Sequence, residues 1–128
     1  MSTNPSAIGG GGGLALAATT GAAGVALQNG TPTFLTWTAP NDGQMHRFHV
    51  VSSLDVTVAE TGGNVQVAFT LPDGSAGTFA QHGPNLAVST NRSGPTGSTV
   101  QAGTTVTVRQ STALTLGAAQ MWAELWAS

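Results

Sequence analysis

The sequence has no cysteine, no lysine and no tyrosine, and very little charge of either sign. Without cysteine there is no disulfide, no thiolate nucleophile and no thiolate-bound metal. Without lysine there is no phosphate-loop lysine and no Schiff base. The missing tyrosine removes one common general acid. Charged residues make up 6% of the chain, against roughly 25% in an ordinary domain. They are Asp42, Asp55, Glu60, Asp73 and Glu124 with Arg47, Arg92 and Arg109, for a net charge of −2. This leaves no basic patch for nucleic acid and no polybasic stretch for an anionic membrane surface. The expected partners are therefore proteins, with no nucleic acid and no membrane.

What is present is small and β-prone. The 128 residues, the size of one domain, include 19 threonines, 19 alanines and 18 glycines. Threonine favours strands, and glycine disfavours the interiors of helices and strands alike. At 40% hydrophobic and nearly neutral, the chain lacks the low hydrophobicity and high net charge of a disordered one. Its outer surface has to be polar through Thr, Ser, Asn and Gln. A domain with so few charges is prone to association, so part of that surface is expected to be covered by other subunits.

Residues 1–24 differ from the rest. Five consecutive glycines, Gly9 to Gly13, are followed by a broken run of small residues. The run is too short for a membrane span and has no basic residue before it. The segment is read as a flexible Gly-rich N-terminal arm. From residue 25 the pattern has period two: Thr33, Leu35, Trp37; Leu54, Val56, Val58; Val65, Val67, Phe69, Leu71; Val106, Val108. Each run predicts a strand with one face inward. Met121, Ala123, Leu125 and Ala127 alternate with Trp122, Glu124 and Trp126, which predicts a final strand. Turns are expected at Asn29-Gly30, Pro40 to Gly43, Gly62-Gly63, Pro72-Asp73-Gly74, Gly83-Pro84-Asn85, Gly94 to Gly97 and Ala102-Gly103. Short strands at such spacing predict an all-β, antiparallel β-sandwich over residues 25–128, with a jelly roll among its options.

The inventory for chemistry is thin. His46 and His49 form H-x-x-H, but on a strand an odd spacing places them on opposite faces. His46 then lies with Phe48 and Val50, and His49 with Arg47. His82 is expected in a loop before Gly83. All three are read as structural or interface histidines. Asp42 and Asp73 precede glycines and suit turn bonding. Asp55 and Glu60 flank a strand with no convincing cation geometry. There is no G-x-S-x-G elbow, and the glycine run is not a phosphate loop. Asn29-Gly30-Thr31 and Asn91-Arg92-Ser93 match the N-glycosylation pattern. No enzyme activity, metal or cofactor is expected. Trp122 and Trp126 share a strand face with Glu124. They would fill the core, form a subunit interface, or stack on sugar rings; interface is the preferred reading.

Two stretches carry a resemblance. Trp37-Thr38-Ala39-Pro40-Asn41-Asp42-Gly43 runs into His46-Arg47-Phe48, and Thr99-Val100-Gln101-Ala102-Gly103-Thr104-Thr105-Val106 precedes the tryptophan-bearing final strand. From about residue 30 onward this succession resembles small virion proteins of tailed bacteriophages, especially capsid decoration (cement) proteins with a jelly-roll or tumour-necrosis-factor-like sandwich. It differs in lacking a tyrosine after the Asp-Gly turn. The resemblance implies a homotrimer on the outer surface of an icosahedral head, bound to the major capsid protein and bridging capsomers. The rival expectation is a receptor- or glycan-binding head module of a phage fibre, since one fold serves many functions.

Overall fold

The computed structural model describes residues 14–21, 25–26, 33–57, 65–82, 88–110 and 118–128. The period-two runs become strands because alternate β-branched and aromatic residues can pack one face while threonine and serine face water. In chain order the strands are β1 Ala15–Thr19, β2 Val25–Ala26, β3 Thr33–Thr38, β4 Met45–Val56, β5 Val65–Thr70, β6 Ala76–His82, β7 Ser89–Gln101, β8 Thr105–Gln110 and β9 Ala118–Ala127. Among the described residues there is no helix.

The strands form two antiparallel sheets. One has the order β1-β9-β4-β7, with β2 continuing the β1 edge along β9; the other has the order β3-β8-β5-β6. The pairings are nested: β5 with β6, β4 with β7, β3 with β8, and β1 and β2 with β9. The chain is thus one long hairpin, closed between β5 and β6 and folded over into two layers. That arrangement is a jelly roll. The expected all-β antiparallel sandwich is observed.

The core lies between the layers. Phe48, Val50, Leu54 and Val56 of β4 and Met121, Ala123 and Leu125 of β9 face Leu35, Val65, Val67, Val106 and Val108 of the second sheet, all buried. Four rings connect the layers in series. Trp37 and Phe48 lie 6.1 Å apart, Phe48 and Phe79 6.3 Å, and Phe79 and Phe69 6.1 Å, within the range of favourable ring pairs.

Three expectations are corrected. First, the segment read as an arm contributes a strand. Residues 15–19 pair with residues 124–127 of β9, and Thr20 N–H donates to Ala123 O at 3.1 Å. Alternation is absent from this alanine-rich strand because an edge strand needs few core contacts. Second, Gly94 to Gly97 is no turn. It lies inside the 13-residue β7, where the register with β4 shifts between Val50 and Ser52. Two residues, Gly94 and Pro95, stand opposite Val51 there, which makes a bulge. Gly94 has φ of +112°, and a Cβ on it would lie 2.9 Å from Val51 Cα. Third, His82 is no loop residue but the buried last residue of β6. The glycine run, Glu60 and the Asn29-Gly30, Gly62-Gly63 and Gly83-Pro84 signals lie outside the described residues.

Candidate functional site

The two outer faces of the sandwich differ in chemistry. On the β3-β8-β5-β6 sheet the outer face is a threonine ladder: Thr36 opposite Thr107, Thr38 opposite Thr105, Ala68 between Thr107 and Thr78, and Thr70 beside Thr105. Thr38 and Thr105 hydroxyls bond at 3.2 Å, and Arg109 donates to Gln66 Oε1 at 3.1 Å. This face is suited to water.

The outer face of the β1-β9-β4-β7 sheet carries Trp122, Glu124 and Trp126, all half-buried, while Met121, Ala123, Leu125 and Ala127 point into the core. Parity along β9 predicted that shared face, and the core reading of the two tryptophans is excluded. The sheet register adds their neighbours. Across one row lie Leu16, Trp126, His49 and Gly97; across another, Trp122, Ser53 and Arg92. Between the rows Glu124 stands beside Val51.

The two tryptophans sit in different surroundings. Trp126 Nε1 donates to Glu124 Oε1 at 3.1 Å, so its indole is fixed and its polar edge satisfied. Leu16 beside it, on the edge strand β1, is 47% exposed. Gly97 leaves the end of this row bare. A Cβ there would collide with Phe48 O and lie 2.7 Å from His49 Cα. The row itself holds no ionised side chain at neutral pH, and Glu124 and Arg47 flank it. Burial, and then the nearby Arg47, lower the pKa of His49, which keeps its ring neutral.

Trp122 instead lines an open cleft of about 290 Å³ with Val51, Ser52, Ser53, Arg92, Ser93 and Gly94. The β7 bulge makes it, because Gly94 has no side chain to cover Val51. Among the described residues the Arg92 guanidinium has no hydrogen-bond or ionic partner. Asp55, one row away, accepts instead from Thr90 Oγ1 at 2.9 Å.

The histidines sit where strand parity predicts. His46 faces inward near the core, buried, and His49 faces outward. His46 Nδ1 bonds Ser128 O and Nε2 bonds Asp42 Oδ1, both at 2.9 Å. The Ser128 carbonyl, then Asp42, raise the pKa of His46, and the bond from His46 lowers that of Asp42. Asp42 also accepts from Gln44 N–H at 3.0 Å, so its turn role, expected from the sequence, is only part of its work. Asp73 keeps to its turn, accepting from the Ser75 hydroxyl at 2.6 Å and the Ser75 N–H at 2.8 Å, and those bonds lower its pKa.

His82 belongs to a buried polar cluster with no signal in the residue pattern. Gln81 Nε2 donates to Ser52 Oγ at 2.7 Å, and Ser52 Oγ lies 2.7 Å from His82 Nε2. The Ser52 hydroxyl thus joins the Gln81 amide to the His82 ring. Burial alone lowers the His82 pKa to about 4. Ser52 and His82 are each 4% exposed, and among the described residues no carboxylate orients the ring. Asn91, of the second glycosylation pattern, is half-buried and donates to Ser89 O at 3.2 Å, a poor acceptor for a glycan.

Comparison of the chain with protein-family models, with curated proteins and with solved structures gave no match.

Proposed function

We propose that this protein is a structural virion component without catalytic activity, which binds the outer surface of a phage capsid as a homotrimer and stabilises it. The observation that carries the reading is the difference between the two outer sheet faces. One is a hydrated threonine ladder. The other presents Leu16, Trp126, His49 and the bare Gly97 backbone as an uncharged strip. Aromatic and aliphatic groups anchored on a rigid sheet are what protein contacts favour, with charge depleted at their centre. The jelly roll itself is compatible with many functions, so the strip, not the fold, bears the argument. Repetition of a modest contact over three subunits would give firm attachment through multivalency.

Co-sedimentation with capsids of the phage that encodes the chain tests this. The wild type is expected to pellet with capsids, and a Leu16→Glu/Trp126→Ala variant to stay in the supernatant while keeping its β-sheet circular dichroism. A folded variant that pellets as well as the wild type would overturn the assignment of the strip. A wild type that fails to pellet would overturn the function. The glycan-binding alternative is favoured by one feature only, the cleft at Trp122.

A further inference from the structure

We propose that the cleft between Trp122 and Arg92 is a binding site for an acidic saccharide, a pyranose ring carrying one carboxylate. It is a site separate from the Trp126 strip, four residues along β9 on the same sheet face.

Three features of the cleft point to that chemistry. Its volume of about 290 Å³ is at the small end of ligand sites, which span roughly 300–1,000 Å³. This suits one or two rings rather than a peptide or an oligonucleotide. One wall is the half-buried Trp122 indole, a flat π-face suited to the C–H side of a sugar ring. On the far side is Arg92, exposed and unpartnered among the described residues. Trp122 and Arg92 both stand opposite Ser53 on β4, so their backbones are two strand spacings apart, about 9–10 Å. A ring lying over Val51 and Ser53 would touch the indole at one end and direct a carboxylate to the guanidinium at the other. Ser53 Oγ, free of any bond among the described residues, lies between them for a ring hydroxyl.

The charge count selects a singly charged ligand with its carboxylate at the Arg92 end, away from Glu124 of β9, which stands beside Val51. Arg92 is the cleft's one cation, and a planar fork matched to a carboxylate. A phosphate-rich ligand would need more cations than the cleft offers. A neutral sugar would leave the guanidinium unused. The cleft is open because Gly94 carries no side chain, and Gly94 is also the residue whose positive φ makes the bulge. The element that breaks the β7 ladder thereby forms the site.

The test is a titration of isotope-labelled protein with glucuronate, glucose and sulfate, read at the indole N–H resonances of Trp37, Trp122 and Trp126. Glucuronate is expected to shift the Trp122 resonance saturably in the millimolar range. Arg92→Gln should weaken it about tenfold, the loss of one charge-assisted bond. Trp122→Phe, which assigns the resonance, removes the reporter, so for Trp122→Ala the Ser53 amide is followed and should no longer move. The Leu16→Glu/Trp126→Ala variant should bind glucuronate normally, so loss of capsid attachment and loss of saccharide binding are distinguishable. No shift with glucuronate, an equal shift with glucose, or an equal Arg92-dependent shift with sulfate would each overturn the proposal.

Discussion

His82 and His46 have opposite effects on how acid changes stability. Burial lowers the His82 pKa from 6.5 to about 4, and among the described residues no charge faces it. The charged groups on the packed strands, Arg47, Asp55, Arg92 and Arg109, are all exposed on outer faces, and Glu124 of β9 is outward too. Between those two values the unfolded chain binds more protons than the folded one. Stability therefore falls as pH drops from 6.5 to 4, by about 3 kcal/mol over the window. That is a large share of a typical domain stability of about 5–15 kcal/mol. His46 works in the other direction and in another window. Its raised pKa contributes stability below 6.5 that is lost as pH rises through the folded value. Denaturation midpoints for the wild type should drop steeply between pH 6.5 and 4, and those of His82→Asn should drop much less, the remainder coming from the lowered pKa of His49. A wild-type curve that is flat in this window would contradict the buried cluster. Gly97 allows a second prediction. With no room for a Cβ against Phe48 O and His49, Gly97→Ala should cost about 1–3 kcal/mol by overpacking, seen as a lower urea midpoint with an unchanged slope.

Among the strands, legibility in the sequence followed the range of the interactions. β3, β5, β8 and β9 were plain from alternation, because a half-buried strand writes its two faces into neighbouring residues. The same parity placed Trp122, Glu124 and Trp126 on one face and separated His46 from His49. β1 was missed. Its alanines alternate in nothing, and it is held by backbone pairing with β9 rather than by side-chain burial. β7 was broken at Gly94 to Gly97 because a bulge uses the same glycine and proline as a turn. With β7 broken, the row Trp122, Ser53, Arg92 was invisible, since it depends on a register between residues 30 or more apart in sequence. His82 was misplaced by the Gly-Pro pair that follows it. A deletion tests β1. Relative to a protein beginning at residue 14, one beginning at residue 22 loses the β1–β9 ladder and the Ala123 bond to Thr20 Oγ1 at 3.0 Å. It should be less stable by about 2–4 kcal/mol, a few net hydrogen bonds, when unfolding is followed by urea titration. Equal midpoints would make β1 dispensable to the sandwich.

For the molecule as a whole, scarcity of charge has the widest consequence. With 6% charged residues and an uncharged strip, attachment would rest on apolar contact and hydrogen bonds. It should change little between low and moderately high salt, because there are few ion pairs for salt to screen. A steep loss of capsid binding with salt would mean that other surfaces carry it. The measurement closest to the central claim is the copy number of this protein in purified virions, which the proposed function requires to contain it, by quantitative mass spectrometry against the major capsid protein. A protein that decorates the whole head should be present in numbers comparable to the capsid protein. A very small number relative to the capsid protein would contradict that account and indicate a fibre or a single vertex, and absence from the virion would end the structural assignment.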